Sequence, residues 1–273
     1  MPELPEVETI KNQLLPIIQS ETIYEVYQSD LNLRGKPMPS LISLVGQKII
    51  NVTRRNKYVI IELQDYFLFF HLGMTGQLLF SENIPTKKHI HAYLKLSKTF
   101  LYFQDVRRFG KIELYSKKDY QNFYDIPSIK SLGIEPLSLD FNLEKLREII
   151  KNKNTPAKKF IMDNAYICGI GNIYACEILF LSKIHPAAII KNLTEDQINL
   201  LYSNIKSVLT KAIELGGSTI SDFKHVNGSS GNMQNFYYVY DKEGVACKIC
   251  GNLINRIKQY GRSTFYCSYC QSL

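Results

Sequence analysis

Short β-rich runs occupy most of residues 21–115, and no helical segment lies among them. Turn-forming residues separate the runs, as at Gly35-Lys36-Pro37. The predicted strands are residues 23–27, 48–53, 58–63, 67–72, 77–80, 92–96, 100–103 and 112–115. So many short strands without intervening helices predict an antiparallel sandwich or barrel and exclude an alternating α/β sheet.

Helical periodicity is present on both sides of this β-rich region. Before it, apolar residues at steps of three and four predict a helix over residues 3–20, which Pro16 should kink or end. After it, Thr194 is expected to cap the last of several helices. These helices are predicted at residues 143–152, 157–162, 173–182 and 195–215. The glycine-containing turn between the second and third predicts a helix–two-turns–helix arrangement.

Together these patterns predict an α+β protein with two domains, and 273 residues are enough for two cores. The N-terminal domain is expected to be an antiparallel β-sandwich with a terminal helix, and the C-terminal domain a helical helix–two-turns–helix domain with a zinc-finger hairpin. The predicted boundaries are 1–130 for the sandwich, 131–141 for a linker, 142–235 for the helical domain and 236–273 for the hairpin. Within the helical domain, the glycine-rich residues 218–231 predict a mobile surface loop.

The charge balance favours a polyanionic partner. Lys and Arg number 33 against 25 acidic residues, which gives a net charge of +8. Many basic proteins bind no nucleic acid, so charge alone leaves the partner open. The sequence has no run of 18 apolar residues and no signal-peptide pattern, and we therefore expect a cytoplasmic protein that does not bind membranes.

Four of the six cysteines form two C-x-x-C pairs separated by 16 residues. The pairs are Cys247-x-x-Cys250 and Cys267-x-x-Cys270. Disulfides would be the alternative in a secreted chain, but in a reducing compartment this spacing is typical of a four-thiolate zinc site. Four thiolates leave no position for a catalytic water, so the predicted Zn²⁺ is structural. Cys168 and Cys176 are expected to be free thiols.

Three basic residues, Arg256, Lys258 and Arg262, lie between the cysteine pairs, and Gly261 allows a tight turn beside them. A basic hairpin of this kind can bind a phosphate backbone. The alternative is a zinc ribbon whose basic face is merely solvated. The residues alone leave both interpretations open.

The N-terminal residues MPELPEVE carry a candidate nucleophile. Removal of Met1 before the small residue Pro2 would leave a secondary amine, and an α-amino group titrates near about 8, so part of it is unprotonated at neutral pH. Glu3 and Glu6 place carboxylates beside it for proton transfer. The alternative is an ordinary helix start, because prolines and acidic residues are common in a first turn.

Three internal segments also have both a functional and an ordinary interpretation. Residues 54–57 (Arg-Arg-Asn-Lys) place three cations at the start of a strand, where they could contact a phosphate backbone. The ordinary interpretation is a charged surface turn. Met74 lies between glycines, where a methionine is more often part of a core. Gly169 and Gly171 precede Asn172 at a helix start, where free amides bind phosphate. A nucleotide-cofactor site is the alternative there, although no strand precedes it.

Six segments of the chain resemble the bacterial formamidopyrimidine-DNA glycosylase family, which excises oxidised purines and belongs to the helix–two-turns–helix superfamily shared with endonuclease VIII. They are PELPEVET near the N-terminus, RRNKY, HLGMTG, DVRRFG, the pair MDN and GIGNIYA, and GRSTFYCSYCQ near the C-terminus. The matches extend over nearly the full chain. Val106 and Lys159 stand where the family often has proline.

The resemblance implies a glycosylase and abasic-site lyase that acts as a monomer on double-stranded DNA containing oxidised purines or abasic sites, with one structural zinc. Pro2 would be the nucleophile, and Glu3 and Lys57 would also be catalytic. The resemblance further implies DNA contacts by His91, Arg108, Lys158, Asn172 and Arg262, gap filling by Met74, Arg107 and Phe109, and proton donation by Glu3, Lys57 or Arg262.

Two rival functions follow from the same residues. The endonuclease VIII branch shares the Pro-Glu terminus but prefers oxidised pyrimidines, and the intact set of Met74, Arg107 and Phe109 favours the purine branch. A noncatalytic zinc-ribbon protein that binds DNA or RNA would leave Pro2 and Lys57 without a role.

Overall fold

The computed structural model describes residues 1–86, 88–219 and 224–273. Its internal contacts divide the chain into two compact units. We call residues 1–130 with 215–234 the N-terminal unit, and residues 131–214 with 235–273 the C-terminal unit. No helix within these described ranges is long and apolar enough to cross a membrane.

The N-terminal unit begins with helix α1, Leu4–Ile18. Glu3 and Glu6 form a capping box, in which each side chain accepts a hydrogen bond from the other residue's backbone amide. Pro16 lies inside the last turn, where it removes the amide donor to the Asn12 carbonyl, and the helix ends two residues later. The apolar stripe faces the core and includes Val7, Ile10 and Leu14, all fully buried.

Two four-stranded antiparallel sheets follow α1, with strand orders β1-β6-β7-β5 and β2-β3-β4-β8. The strands are β1 Glu25–Gln28, β2 Ile49–Arg55, β3 Tyr58–Leu63, β4 Tyr66–His71, β5 Gly76–Ser81, β6 Ile90–Lys95, β7 Phe100–Asp105 and β8 Lys111–Ser116. Alternating residues of both sheets meet in one core with α1, for example Val59, Phe70 and Leu101. The predicted N-terminal β-sandwich is confirmed. A short helix, α2 (Pro127–Lys130), ends this unit's first segment.

The segment 215–234 belongs to the N-terminal unit, whereas the sequence predicts it within the helical domain. The amide of Val226 donates to Gln13 Oε1 at 3.2 Å, and the amide of Phe80 donates to the Val226 carbonyl at 3.2 Å. A Cβ on Gly217 would lie 2.9 Å from Glu6 Cγ, so this close approach requires glycine. Residues 220–223 of the loop predicted as mobile lie outside the described residues.

The C-terminal unit is helical apart from one hairpin. Its helices are α3 Leu143–Ile150, α4 Ala157–Ile161, α5 Asn172–Leu181 and α6 Glu195–Glu214. The predicted cap is confirmed, since Thr194 Oγ1 accepts from the Gln197 amide at 3.3 Å. The hairpin consists of β9 (Asn255–Gln259) and β10 (Arg262–Tyr266), and we call it the finger hairpin. Phe265 packs with Phe180 and the cysteines in a small separate core.

Candidate active site and nucleic-acid interface

The N-terminal residues are buried at the start of α1. Pro2 is buried, and Glu3 and Glu6 are 3% and 2% exposed. One carboxylate oxygen of Glu6 accepts from the Glu3 amide at 2.8 Å, and the other accepts from the Ser218 amide at 2.7 Å. The Glu6 carboxylate therefore fixes the backbone of Glu3 and joins it to the backbone of Ser218. A carboxylate and a potential secondary amine are thus adjacent in a water-poor environment.

Lys57 lies in the turn between β2 and β3. The sequence predicts residues 54–57 at the start of a strand, and this prediction is wrong, because Arg54 and Arg55 end β2 and only Tyr58 begins β3. Asn56 has a φ of +55°, as a two-residue hairpin turn requires, and Asn tolerates it. Lys57 is only 6% exposed. The tight turn therefore fixes the backbone of a lysine that is largely removed from solvent.

Arg54 connects this turn to α1. Its Nε donates to Glu8 Oε2 at 2.6 Å, and its Nη1 donates to the Asn56 carbonyl at 2.9 Å. Burial acts to raise the pKa of Glu8, but the charges and hydrogen bonds of Arg54 and Lys11 outweigh it, and the pKa lies below the ordinary 4.5. Glu8 is therefore ionised at neutral pH and pairs with Arg54.

Asp105 joins the two loops that carry the predicted gap-filling residues. Its fully buried carboxylate accepts from the Thr75 hydroxyl, from the Arg107 amide at 3.2 Å and from the Gly110 amide at 2.6 Å. Thr75 follows Met74 in one loop, and the other two donors belong to the second loop. One buried carboxyl group therefore fixes both loops.

The side chains at the ends of these loops are available to a partner. Met74 and Phe109 are 43% and 42% exposed, and the Arg107 guanidinium lies 4.6 Å from the Phe109 ring centroid. A Cβ on Gly73 would lie 2.4 Å from the Phe109 backbone, so the loops meet at backbone distance. Exposed apolar side chains on such a closely packed support are suited to insertion between bases.

His71 shapes the turn before Met74. Its Nδ1 accepts a hydrogen bond from the Gly73 amide at 3.1 Å, which requires an unprotonated nitrogen. Burial, with further contributions from Lys57 and Arg34, lowers the pKa of His71 to about 4. The imidazole is therefore neutral at physiological pH and acts as an acceptor.

His91 and Arg108 line one concavity of about 590 Å³, but their side chains differ in exposure. His91 is 1% exposed, and its two ring nitrogens lie 3.2 Å from Ser29 Oγ and 2.9 Å from the Asp105 carbonyl. His89, two residues earlier, is exposed and lines the same concavity. The geometry therefore favours His89 over His91 as the partner of Arg108 in anion contact.

In the C-terminal unit, Lys158 and Asn172 both bind the finger hairpin. Lys158 is 1% exposed, and its Nζ donates to Thr264 Oγ1 at 2.5 Å and to the Ser263 carbonyl at 3.2 Å. Asn172 Nδ2 donates to the same carbonyl at 2.9 Å. Arg262, the residue before Ser263, is itself exposed. Lys158 and Asn172, which the sequence predicts as DNA contacts, therefore hold the hairpin segment next to Arg262, the third predicted contact.

The four cysteines of the C-x-x-C pairs form a candidate metal centre. Their sulfur atoms all lie within 4.8 Å of one another. Such a cluster fits the tetrahedral thiolate coordination of Zn²⁺, with metal–sulfur distances near 2.3 Å. The residues therefore fit one structural zinc.

Family models match most of the chain: the formamidopyrimidine-DNA glycosylase N-terminal domain at residues 1–112, the formamidopyrimidine-DNA glycosylase H2TH domain at 132–224, and a zinc finger found in FPG and IleRS at 246–273. A formamidopyrimidine-DNA glycosylase from Wolbachia sp. subsp. Drosophila simulans is 41% identical over 276 residues and covers 100% of both chains. The chain belongs to the formamidopyrimidine-DNA glycosylase family. It is therefore a member of a family of DNA repair glycosylases.

Two solved structures of this family match the whole fold. A Lactococcus lactis FPG mutant in complex with Fapy-dG-containing DNA has a TM-score of 0.90 and 36% identity, with 100% of both chains covered. MutM in complex with carbocyclic 8-oxo-G-containing DNA has a TM-score of 0.89 and 36% identity, again with 100% of both chains covered. The predicted fold class and the zinc finger are confirmed.

The sequence patterns do not identify several residues that position the motifs of this glycosylase family. They indicate Arg54 only as one cation of three, and Asp105 only as part of a motif. His89 is not among the predicted contacts, because the sequence offers two histidines two positions apart and only the structure shows that His89 is exposed and His91 is buried. The partners of Lys158, which lie about a hundred residues away, left no local signal.

Proposed function

We propose that this protein excises oxidised purines, including 8-oxoguanine and formamidopyrimidines, from duplex DNA and then cleaves the abasic strand. One observation carries the proposal: Pro2 and Glu3 are buried together at the start of α1, where Glu6 binds the amides of Glu3 and Ser218. Family neighbours in complex with Fapy-dG and 8-oxo-G DNA support the choice of oxidised purines. The intact Met74, Arg107 and Phe109 set favours the same branch.

The proposed reaction begins with the Pro2 amine, which exists once Met1 has been removed. Its lone pair attacks the anomeric carbon of the damaged nucleotide, the bond to the base breaks, and the base leaves with a proton. Glu3 protonates the sugar ring oxygen as the ring opens, which yields an iminium (Schiff base) between Pro2 and the open sugar.

The iminium then accepts electrons during strand cleavage. Loss of a proton from C2′ expels the 3′ phosphate in a β-elimination, and loss of a further proton from C4′ expels the 5′ phosphate in a δ-elimination. Lys57 and Arg262 are the proposed proton donors and phosphate contacts for these steps. Hydrolysis frees Pro2 and leaves a one-nucleotide gap.

Phosphate contacts hold the duplex while the damaged base leaves the stack. We assign these contacts to exposed Arg262 and Arg108, with His89 taking the place first given to His91. Lys158 and Asn172 act by fixing the hairpin that carries Arg262. Such contacts position the protein and carry no sequence information.

Moving the damaged nucleotide out of the duplex removes its stacking and pairing, which costs a few kcal/mol. We assign the replacement of these lost contacts to Met74, Arg107 and Phe109. The zinc supplies no step of the reaction and folds the finger hairpin.

We also propose a cytoplasmic location, where a reducing environment keeps the four thiols available to the metal.

A strand-cleavage assay on a panel of duplexes tests the proposal. The panel contains 8-oxoguanine, a formamidopyrimidine, an oxidised pyrimidine, an abasic site and undamaged DNA. We expect cleavage of the two purine lesions and the abasic site, with products carrying phosphates on both sides of the gap. Preference for the oxidised pyrimidine would instead favour an endonuclease VIII type of activity. Binding without any cleavage would identify a noncatalytic zinc-ribbon protein.

A further inference from the structure

The tip of the finger hairpin carries an exposed aromatic residue beside a lysine of α4. Tyr260 is 56% exposed. It has a φ of +51° and lies in the turn at the end of the hairpin. Lys159 is exposed, and its Nζ lies 5.5 Å from the Tyr260 ring centroid. This distance is typical of a cation–π contact.

The pair borders a concavity of about 260 Å³ within the C-terminal unit. Its lining residues are Lys158, Lys159, Met162, Asp163, Gln259, Tyr260 and Arg262. The Asp163 carboxylate accepts from the Ala165 amide at 2.9 Å, and Lys158 is buried against the hairpin. Lys159 and Arg262 are therefore the exposed cations of this wall, and Tyr260 lies two residues from Arg262.

We propose that Lys159 and Tyr260 bind a second phosphate of the DNA backbone, next to the phosphate assigned to Arg262. The Lys159 ammonium supplies the charge, the Tyr260 hydroxyl can donate a hydrogen bond, and the ring covers the adjoining deoxyribose. This inference rests on the proposed function.

The spacing suits neighbouring phosphates of one strand. Tyr260 and Arg262 are two residues apart in the turn of the finger hairpin, so their Cα atoms lie at most about 7 Å apart. Phosphates one or two nucleotides apart are separated by about 3.4 to 6.8 Å along the helix axis. Lys159 stands where the family often has proline, and Tyr260 lies outside the segments that carry the family resemblance.

Binding to a duplex with an uncleavable abasic-site analogue, measured between 50 and 200 mM salt, tests the inference. Loss of one charged phosphate contact makes the negative slope of log K against log salt shallower by about 0.9. We therefore expect the affinity deficit of Lys159→Ala to shrink about 3.5-fold across this range, because the variant releases one fewer counterion. Lys159→Arg should retain the wild-type slope.

Tyrosine variants separate the ring from the charge. Tyr260→Ala should weaken binding at every salt concentration with little change in slope, and Tyr260→Phe should lose only the part due to the hydroxyl. The effects of Lys159→Ala and Tyr260→Ala should not add in the double variant, since the ammonium lies against the ring.

Lys206→Ala is the matched control, because Lys206 Nζ lies 5.0 Å from the Tyr202 ring centroid in the same unit. It should match the wild type in affinity and slope. A Lys159→Ala enzyme with the wild-type slope would overturn the inference while excision by the wild type stands. If the wild-type protein shows neither salt-dependent binding nor excision, the proposed function itself fails.

Discussion

Arg54 Nε donates a hydrogen bond to Glu8 Oε2 at 2.6 Å, which joins helix α1 to the hairpin turn that contains Lys57. The same guanidinium donates to the Asn56 carbonyl at 2.9 Å. Pro2 and Glu3 precede α1 directly, so one arginine connects the candidate nucleophile's helix to the candidate proton donor's turn. Since Glu8 is ionised at neutral pH, the connection is a charge-assisted one.

We predict that Arg54→Gln slows strand cleavage by about 10- to 100-fold, because a displacement of about 1 Å at a catalytic group can have an effect of this size. Single-turnover cleavage of a preformed abasic duplex measures it. Glu8→Gln should behave similarly. Arg147→Gln is the control, since it removes the exposed ion pair with Glu195 in the C-terminal unit. Wild-type cleavage by Arg54→Gln would show that the connection has no role in positioning Lys57.

Asp105→Ala should destabilise the protein by about 2–4 kcal/mol, because it leaves buried donors of two loops without an acceptor. It should also slow excision opposite every base, since Met74 and Arg107 lose their common support. Denaturant unfolding and excision rates measure the two effects. The exposed Asp119, changed to Ala, serves as the control. An Asp105→Ala protein of unchanged stability would mean that the loops are fixed by other contacts.

The lowered pKa of His71 makes stability depend on pH. A group whose pKa is lower in the folded state contributes stability that is fully present above its unfolded pKa and is lost as pH falls through the folded pKa. For His71 the window runs from the ordinary 6.5 down to about 4. We expect His71→Asn, which keeps an acceptor for the Gly73 amide, to show a smaller loss of stability than the wild type across this window. If the free energy of unfolding falls equally in the wild type and in His71→Asn between these pH values, the lowered pKa of His71 is not the cause of the pH dependence.

Arg107 should determine which base is preferred opposite the lesion. Cytosine offers two adjacent acceptors that a guanidinium can contact together, whereas adenine presents an amino donor. We expect excision of 8-oxoguanine to favour cytosine over adenine by about 10- to 100-fold, as a bidentate contact of roughly 1–3 kcal/mol implies. Arg107→Ala should make the two partners equal, while Met74→Ala should slow both alike. A full cytosine preference in Arg107→Ala would contradict this role.

Local patterns in the sequence predicted the elements of this fold closely. Residues 58–63 and 195–215 were predicted almost to the observed bounds of β3 and α6, because alternation and helical periodicity reflect burial directly. The turn at Asn56 was misplaced, since a positive φ leaves little trace in a run of charged residues.

Long-range contacts could not be predicted in this way. Lys158 has the charge of a surface residue, yet it lies buried against Thr264, which is distant in sequence. The Glu6 carboxylate likewise binds the amide of Ser218, and this contact helps to place residues 215–234 in the N-terminal unit. Such positions depend on tertiary contacts between residues far apart in sequence, whereas patterns in a single sequence reflect only the local structure of neighbouring residues.

Borohydride trapping on an 8-oxoguanine duplex tests the central claim, the Pro2 nucleophile, most directly. Borohydride reduces the Schiff base to a stable amine, so protein and DNA become covalently joined. We predict trapping of the protein that lacks Met1, with the cross-link at residue 2 by peptide mass spectrometry. A protein that retains an N-terminal extension should not be trapped, because its Pro2 nitrogen is an amide. Equal trapping of the extended form, or a cross-link at a lysine, would contradict the account.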